Sequence, residues 1–364
     1  MRTTAIVTNG PGEPFSLEEV ELDAIRPGEI RVRAVATGLC HTDVTLRDTL
    51  PAEMFPRILG HEGAGVVEEV GAEVTGVAVG DHVVASFRSC RACARCAGLG
   101  PGYCENTVLL NYLGYRMDGT TTYSRAGAPV QASFFGQSSF AGDLIVHPDN
   151  VVVVDQALDL TRLGPYGCGF QTGAGTVLNV LQPGPDDSLA VFGVGAVGLA
   201  ALAAARQVGT LIAVDVRPER LAVAEKYGAT AVDARGLESA GVVDRIKELT
   251  GGQGASYGID TTGIGEVIKQ AAQALAVKGE LAVLALGAEE FPVDAIDIMM
   301  NGKVIRGTVE GDSDPQEMIP RLLALAASGA FDVDDLITTY PVSEVNTAVE
   351  DALAGAVVKP VLVW

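Results

Sequence analysis

Short Val-rich runs in which apolar and polar positions alternate fill the first third of the chain. EIRVRAVATG at 29–38, GAGVVEEVG at 63–71 and GDHVVAS at 80–86 have the two-residue period of strands with one buried face, and glycine turns separate them. An antiparallel, β-rich region is predicted there. From about residue 170 apolar runs alternate with Ala-rich helical stretches, as in SLAVFG, LAALAAARQVG, TLIAVD, ERLAVAEKYG, SYGID and GELAVLAL. Strand, helix, strand in that order is the signature of a parallel sheet with crossover helices. Beyond Thr308 the pattern is mixed again, with a helix near 315–329 and a strand in VVKPVLVW. The pattern therefore predicts an α/β chain.

Length and composition refine this picture. A chain of 364 residues is long for one core and suits two domains, and 48% hydrophobic against 20% charged residues leaves ample material to bury. The formal charge of −21, from 46 acidic and 25 basic residues, repels phosphate backbones and anionic lipid, so nucleic acid and membrane surfaces are not expected partners. The segment MRTTAIVTNGPGEPFS has no apolar leader core, and no run of about 18 apolar residues occurs, so a cytoplasmic location is expected.

The chemistry concentrates in the cysteines. Four of the six form one block, CRACARCAGLGPGYC, in which Cys90, Cys93, Cys96 and Cys104 have the spacing C-x2-C-x2-C-x7-C. Four thiolates fill a tetrahedral Zn2+ and leave no open position, which points to a structural site. Cys40 and Cys168 remain, and with His61 they would supply the three ligands of a catalytic zinc that keeps one position free. By spacing alone, packing in a core explains these three residues equally well.

The segment AVFGVGAVGLAALAAA places Gly193, Gly195 and Gly198 in G-x-G-x-x-G register between a strand and a helix. Such glycines permit a tight turn, close approach of a pyrophosphate and close helix packing, with the anion at the helix N-terminus. The next strand ends in Asp215, placed to hold the ribose hydroxyls and to repel a 2′-phosphate, which favours NAD over NADP. Arg217 and Arg220 follow; a solvated helix start with Pro218 at its first position is the preferred reading of that pair.

GLCHTD at 38–43, GHEGAGVVEEVG at 60–71, the four-cysteine block, YGCGFQTG at 166–173 and GVGAVG at 193–198 occur in this order. Together they resemble the zinc-containing medium-chain alcohol dehydrogenases over essentially the whole length. QASFFGQSSF at 131–140 and RGTVEGDSDPQ at 306–316 look most like the aryl (benzyl) alcohol dehydrogenases among them. The resemblance implies a GroES-like catalytic domain over 1–169, a Rossmann NAD-binding domain over 170–307, and a segment 308–364 that completes the catalytic domain, with the active site between the domains. It implies two Zn2+ per subunit, NAD, a small alcohol or aldehyde as substrate, and a homo-oligomer, dimer or tetramer.

Carried over by position, Cys40, His61 and Cys168 match the catalytic zinc ligands. Asp43 matches the residue that orients the histidine, Glu62 the carboxylate behind the zinc, and Thr42 the hydroxyl that takes the alcohol proton. His41 and Lys359 match positions that face the pyrophosphate. Thr172, Ala196, Val197 and Arg220 join Gly193, Gly195, Gly198 and Asp215 in the cofactor site. Phe87, Phe134 and Phe135 match places along the substrate channel, while ordinary core packing accounts for each equally well. Thr45 stands where the best-known animal members carry the histidine that ends their proton relay. The activity implied is interconversion of a primary, aryl or allylic alcohol and its aldehyde by hydride transfer to or from NAD. Oxidation of another class, terpenoid, aliphatic or thiol-adduct, and a dinucleotide-binding protein without catalysis stay open.

Overall fold

A computed structural model describes residues 1–364. The chain divides into two compact units, Met1–Cys168 with Asp314–Leu323 and Asp334–Trp364, and Gly169–Ser313 with Ala324–Val333. Helices and sheets are mixed, one sheet is parallel throughout, and the fold is α/β. No helix is long and apolar enough to cross a membrane.

The first unit is built on two sheets. One runs Arg57–Ile58, Arg2–Thr8, Ser16–Leu22, Tyr123–Arg125, Ala128–Val130. The other runs Val151–Val154, His82–Ala85, Gly63–Val70, Ile30–Gly38, Lys359–Val363, Ile337–Pro341, and Asp143–Val146 also pairs with Ile30–Gly38. The alternation in IRVRAVATG does what its period predicts. Ile30, Val32, Ala34 and Ala36 are buried, while Arg31 pairs with Glu69 and Asp143, and Arg33 with Glu68. Residues 30–38 thus lie at the heart of this unit, and the chain leaving them delivers Cys40.

The second unit holds a six-stranded parallel sheet in the order Thr230–Asp233, Thr210–Asp215, Ser188–Phe192, Ala255–Asp260, Leu275–Val283, Val304–Gly307. The third strand from the edge comes first in sequence, and the chain winds outward from it in both directions, the doubly wound order of dinucleotide-binding sheets. Every residue of Ser188–Phe192 is buried, as a central parallel strand covered on both faces requires. Phe192, Ile212, Val214, Val232, Val242, Ile246, Ile268 and Leu281 form its core.

The domain limits expected from the sequence, 170–307 and 308–364, differ from these units at one end. The turn after Val304–Gly307 stays with the second unit, because Gln171 and Thr172 both bind the Glu310 carboxylate. Ala324–Val333 also belongs there, where Phe331 meets Phe170 edge to face at 6.4 Å. Residues 308–364 are therefore divided between the units. Side-chain contacts of this kind have no periodic signal.

Candidate metal and dinucleotide sites

Cys90, Cys93, Cys96 and Cys104 lie on a loop with two short helical turns, Ala94–Leu99 and Pro101–Tyr103. Their sulfurs all fall within 4.8 Å of one another. Backbone N–H groups of Cys90 and Asn106 donate to Cys104 Sγ, and those of Cys96 and Glu105 to Cys93 Sγ, at 3.3–3.4 Å. Backbone donors at Ala92 and Cys93 hold the Cys90 thiol down at about 6, while burial and the neighbouring sulfurs hold Cys96 up at about 12. Four thiolates this close need a cation between them, and a tetrahedral Zn2+ fits the set.

The second cluster brings together Cys40, His61, Glu62 and Cys168, again with ligand atoms within 4.8 Å of one another. Cys40 is the N-cap of the helix His41–Thr49, and Asp43 in the first turn accepts from the Cys40 N–H at 3.0 Å through Oδ2. Its other oxygen, Oδ1, lies 3.0 Å from His61 Nδ1 and accepts from the Gly60 N–H at 2.9 Å. A carboxylate accepts and does not donate, so Nδ1 carries the proton and Nε2 is left as the donor atom. His61 Nε2 is buried and makes no hydrogen bond. A hydrogen bond with Cys168 holds the Cys40 thiol well below its ordinary value against burial, and His61 adds to this. For His61 burial opposes protonation, but Asp43 and Cys40 outweigh it and hold the imidazole well above its ordinary range. The field that keeps a proton on Nε2 is the field that attracts a cation, and Zn2+ replaces that proton. The donors fit zinc.

Thr42 Oγ1 lies 3.7 Å from Cys40 Sγ, which puts this hydroxyl at the cluster. His41 is exposed at the first position of the same helix, and Thr45 is half-buried one turn on. Lys359 departs from expectation. The side chain expected at a pyrophosphate is 2% exposed, with Nζ 2.6 Å from Glu62 and 3.4 Å from the Leu39 carbonyl. The strand Lys359–Val363 runs beside Ile30–Gly38, so its first side chain enters the region where Glu62 sits, and a buried carboxylate captures the ammonium.

Phe134 and Phe135 meet the His61 imidazole at ring-centroid distances of 5.2 and 4.6 Å. Phe134 is fully buried, backed by Tyr112 at 6.2 Å and by the Arg57 guanidinium at 5.8 Å, whereas Phe135 is 7% exposed. The segment is forced into place, since Ser133, Phe135, Gly136 and Ser138 all have positive φ. Phe87 lies in the same apolar core, between His82–Ala85 and Cys90. Sequence reasoning passed over Gln137 in this segment. Its amide donates to the His61 and Ser86 carbonyls and accepts from the Gly63 N–H, tying the phenylalanine arch to the histidine strand. The letters QSSF after FFG were its one trace.

In the second unit the glycine loop behaves as its register predicts. Gly193 has φ +82, and a Cβ there would lie 2.7 Å from Thr261 Oγ1; one at Gly198 would lie 2.1 Å from the Gly193 carbonyl. At Gly195 the nearest atom to such a Cβ is an Arg220 nitrogen at 3.8 Å, so this face is open to a ligand. Ala196 and Val197 begin the helix Ala196–Ala204, whose N-terminal N–H groups follow Gly195. Asp215 accepts from the N–H groups of Val194 and Arg217, which fixes its carboxylate beside the loop. Thr172 is half-buried in the helix Gly169–Gly175.

Residues 26–154 match the alcohol dehydrogenase GroES-like domain and residues 196–328 the zinc-binding dehydrogenase domain. The chain belongs to the zinc-containing medium-chain alcohol dehydrogenases. It is a zinc-dependent alcohol dehydrogenase by family and by both metal clusters. Geraniol dehydrogenase of Castellaniella defragrans is 40% identical over 99% of this chain and 97% of its own length. A zinc-binding alcohol dehydrogenase domain protein of Burkholderia ambifaria has a similar structure, with TM-score 0.94 and 43% identity over 100% and 99% of the two chains. Benzyl alcohol dehydrogenase of Acinetobacter calcoaceticus follows with TM-score 0.93 and 36% identity, over the same shares.

Proposed function

We propose that this dehydrogenase acts on primary alcohols whose carbinol carbon adjoins an aromatic ring or a double bond, benzylic or allylic, and on the matching aldehydes. The observation that carries the proposal is the Phe135 ring against His61 at 4.6 Å, an aromatic wall at a metal ligand, with the buried Phe134 packed edge to face behind it. Geraniol and benzyl alcohol, named for two of the similar proteins, share this feature.

Cys40, His61 and Cys168 hold the catalytic zinc, and Cys90, Cys93, Cys96 and Cys104 the structural one. Zinc supplies a Lewis acid for the alcohol oxygen and NAD the hydride acceptor. Asp43 fixes the tautomer of His61 through Nδ1. Thr42 receives the proton of the alcohol hydroxyl and passes it on; Thr45, with no titrating side chain, is not the end of that path. Glu62, neutralised by Lys359, keeps a carboxylate within reach of the metal position. In the second unit Asp215 holds the ribose hydroxyls, Arg220 lies along the open face of Gly195, and Thr172 contributes to the cofactor site. His41 offers its exposed ring to the pyrophosphate. Phe135 forms the wall that a substrate ring meets, and Phe134 and Phe87 back it. The enzyme works in the cytoplasm as a homo-oligomer.

Following NADH absorbance with benzyl alcohol and ethanol tests this. Ring burial and stacking together favour benzyl alcohol by on the order of 30- to 1000-fold in kcat/KM. Phe135→Ala is expected to reduce that ratio, while Phe134→Ala lowers stability first. Equal kcat/KM for the two alcohols overturns the proposal and leaves the family unaffected.

A further inference from the structure

Arg57 opens the short strand Arg57–Ile58, just ahead of His61 in sequence, and its side chain is fully buried. A buried guanidinium ordinarily meets a carboxylate, and this chain has 46 acidic residues to draw on. None pairs with it. Nη1 donates to Gln131 Oε1 at 3.2 Å, Nη2 donates to the Tyr112 carbonyl, and Nε has no hydrogen-bond partner. Burial brings the guanidinium down to about 10, so it stays charged at neutral pH. The charge is therefore held by neutral oxygens and by one ring, that of Phe134, whose centroid lies 5.8 Å from Cζ.

Three segments meet around this charge. The Gln131 N–H donates to the Pro56 carbonyl at 3.0 Å, the Ile58 N–H to the Gln131 carbonyl at 2.8 Å, and the Ala132 N–H to the Gly114 carbonyl at 3.1 Å. Gly114, with φ +84, closes over the guanidinium, and a Cβ there would lie 3.4 Å from Cζ. Beyond Ala132 the chain enters the arch, where Ser138 Oγ donates to the Ile58 carbonyl at 2.7 Å and accepts from the Phe134 N–H at 2.9 Å. Tyr112, whose carbonyl Arg57 holds, sets its own ring 5.5 Å from that of Phe135. Phe134 meets the His61 imidazole at 5.2 Å and Phe135 at 4.8 Å.

We propose that Arg57 is a positioning residue for substrate selection: through Phe134 and Tyr112 it sets where the Phe135 ring stands at the metal ligand His61, and so sets the preference for alcohols that carry a ring or a double bond. An apolar side chain would fill the same space at lower cost. Only a forked donor joins the segments at Tyr112 and Gln131, and only a cation is drawn to the face of a ring. The proposal rests on the benzylic or allylic reading above.

Arg57→Met keeps an unbranched apolar stem and removes the fork and the charge. In the zinc-loaded variant KM for benzyl alcohol is expected to rise roughly three- to tenfold with kcat little changed, while kcat/KM for ethanol moves less than about twofold. Arg57→Lys keeps a charge at the Phe134 ring and a donor, and is expected to recover part of the KM for benzyl alcohol. Equal changes for the two alcohols in Arg57→Met, or a lysine variant no better than the methionine one, overturn the proposal and make Arg57 a structural part of the core. Should Arg57→Met fail to fold, Gln131→Ala releases one arm of the fork and is expected to raise KM for benzyl alcohol about twofold; an unchanged value overturns the proposal. Fluorine NMR of the protein labelled with fluorophenylalanine, with no alcohol present, separates this from the reading it rests on. The Phe135 resonance, assigned through Phe135→Leu, is expected to shift in Arg57→Met. A shift alongside a wild type that shows no benzyl preference means that the substrate reading has failed and the placement of Phe135 by Arg57 has not. An unshifted resonance overturns the proposal, whatever the alcohols show.

Discussion

Asp43 and Lys359 show how single residues set the metal cluster. Asp43 binds the Cys40 N–H, the Gly60 N–H and His61 Nδ1 at once, so one carboxylate fixes two ligands. Asp43→Asn is expected to weaken the catalytic zinc by about 10–100-fold, measured by competition with a chromophoric chelator; unchanged affinity would show that the backbone alone orients His61. The motif GLCHTD made Asp43 legible, because the spacing from Cys40 to Asp43 is local. Lys359 was not legible in the same way. A lysine in a strand sequence shows its charge but not its partner, and this partner lies 297 residues away. Both side chains of the Lys359–Glu62 pair are at most 3% exposed. Lys359→Met leaves Glu62 buried without its cation and is expected to destabilise the first unit by about 3–5 kcal/mol in urea unfolding. Adding Glu62→Gln should restore part of the loss, and additive losses would mean that the two groups do not interact.

Among the elements, the four-cysteine loop shows most clearly what local pattern can and cannot carry. Its two helical turns span Ala94–Leu99 and Pro101–Tyr103, too short to persist alone, and Leu99 is 65% exposed, so apolar burial contributes little. The metal supplies the missing stability. Cys104→Ser is expected to lower the zinc content from two to about one per chain and to lower the melting temperature before it touches turnover. Full stability with loss of activity would make this zinc catalytic. The spacing of the thiols announced the site, as the period-two and strand–helix patterns announced the sheets. The arch 133–138 had no such signal: left-handed backbone at Ser133, Phe135 and Ser138 is imposed by surroundings, with Asn150 donating to the Phe135 carbonyl and Gln137 bridging Gly63 and His61. Nothing in the letters SFFGQSS specifies that geometry.

Across the whole molecule the acidic balance of −21 shapes the response to pH. The side chain of Arg116 holds Asp23 below the ordinary carboxylate range, His147 does the same for Asp149, and Thr120 brings Asp118 down to about 2. These groups bind protons more weakly folded than unfolded, so their contribution is complete above about pH 5 and is lost as pH falls through the folded values. Asp260, raised by burial, works in the opposite sense. Asp23→Asn is expected to cost less than about 1 kcal/mol at pH 6, because its side chain is 55% exposed, and nothing near pH 2. A deficit of the same size at both pH values would remove the linkage. The two units also differ in when they can form. The six parallel strands lie within 188–307, whereas Ile30–Gly38 pairs with Asp143–Val146 along its first half and with Lys359–Val363 only at Ala36–Gly38, and Lys359 Nζ reaches the Leu39 carbonyl across 320 residues. A ribosome therefore releases the thiols of Cys40 and Cys168 long before the strand that finishes their surroundings. Until Lys359–Val363 is made, the stretch Ala36–Gly38 that leads into Cys40 lacks its neighbouring strand, so the metal cluster's surroundings are completed only by the far end of the sequence distance that Lys359 and Leu39 span.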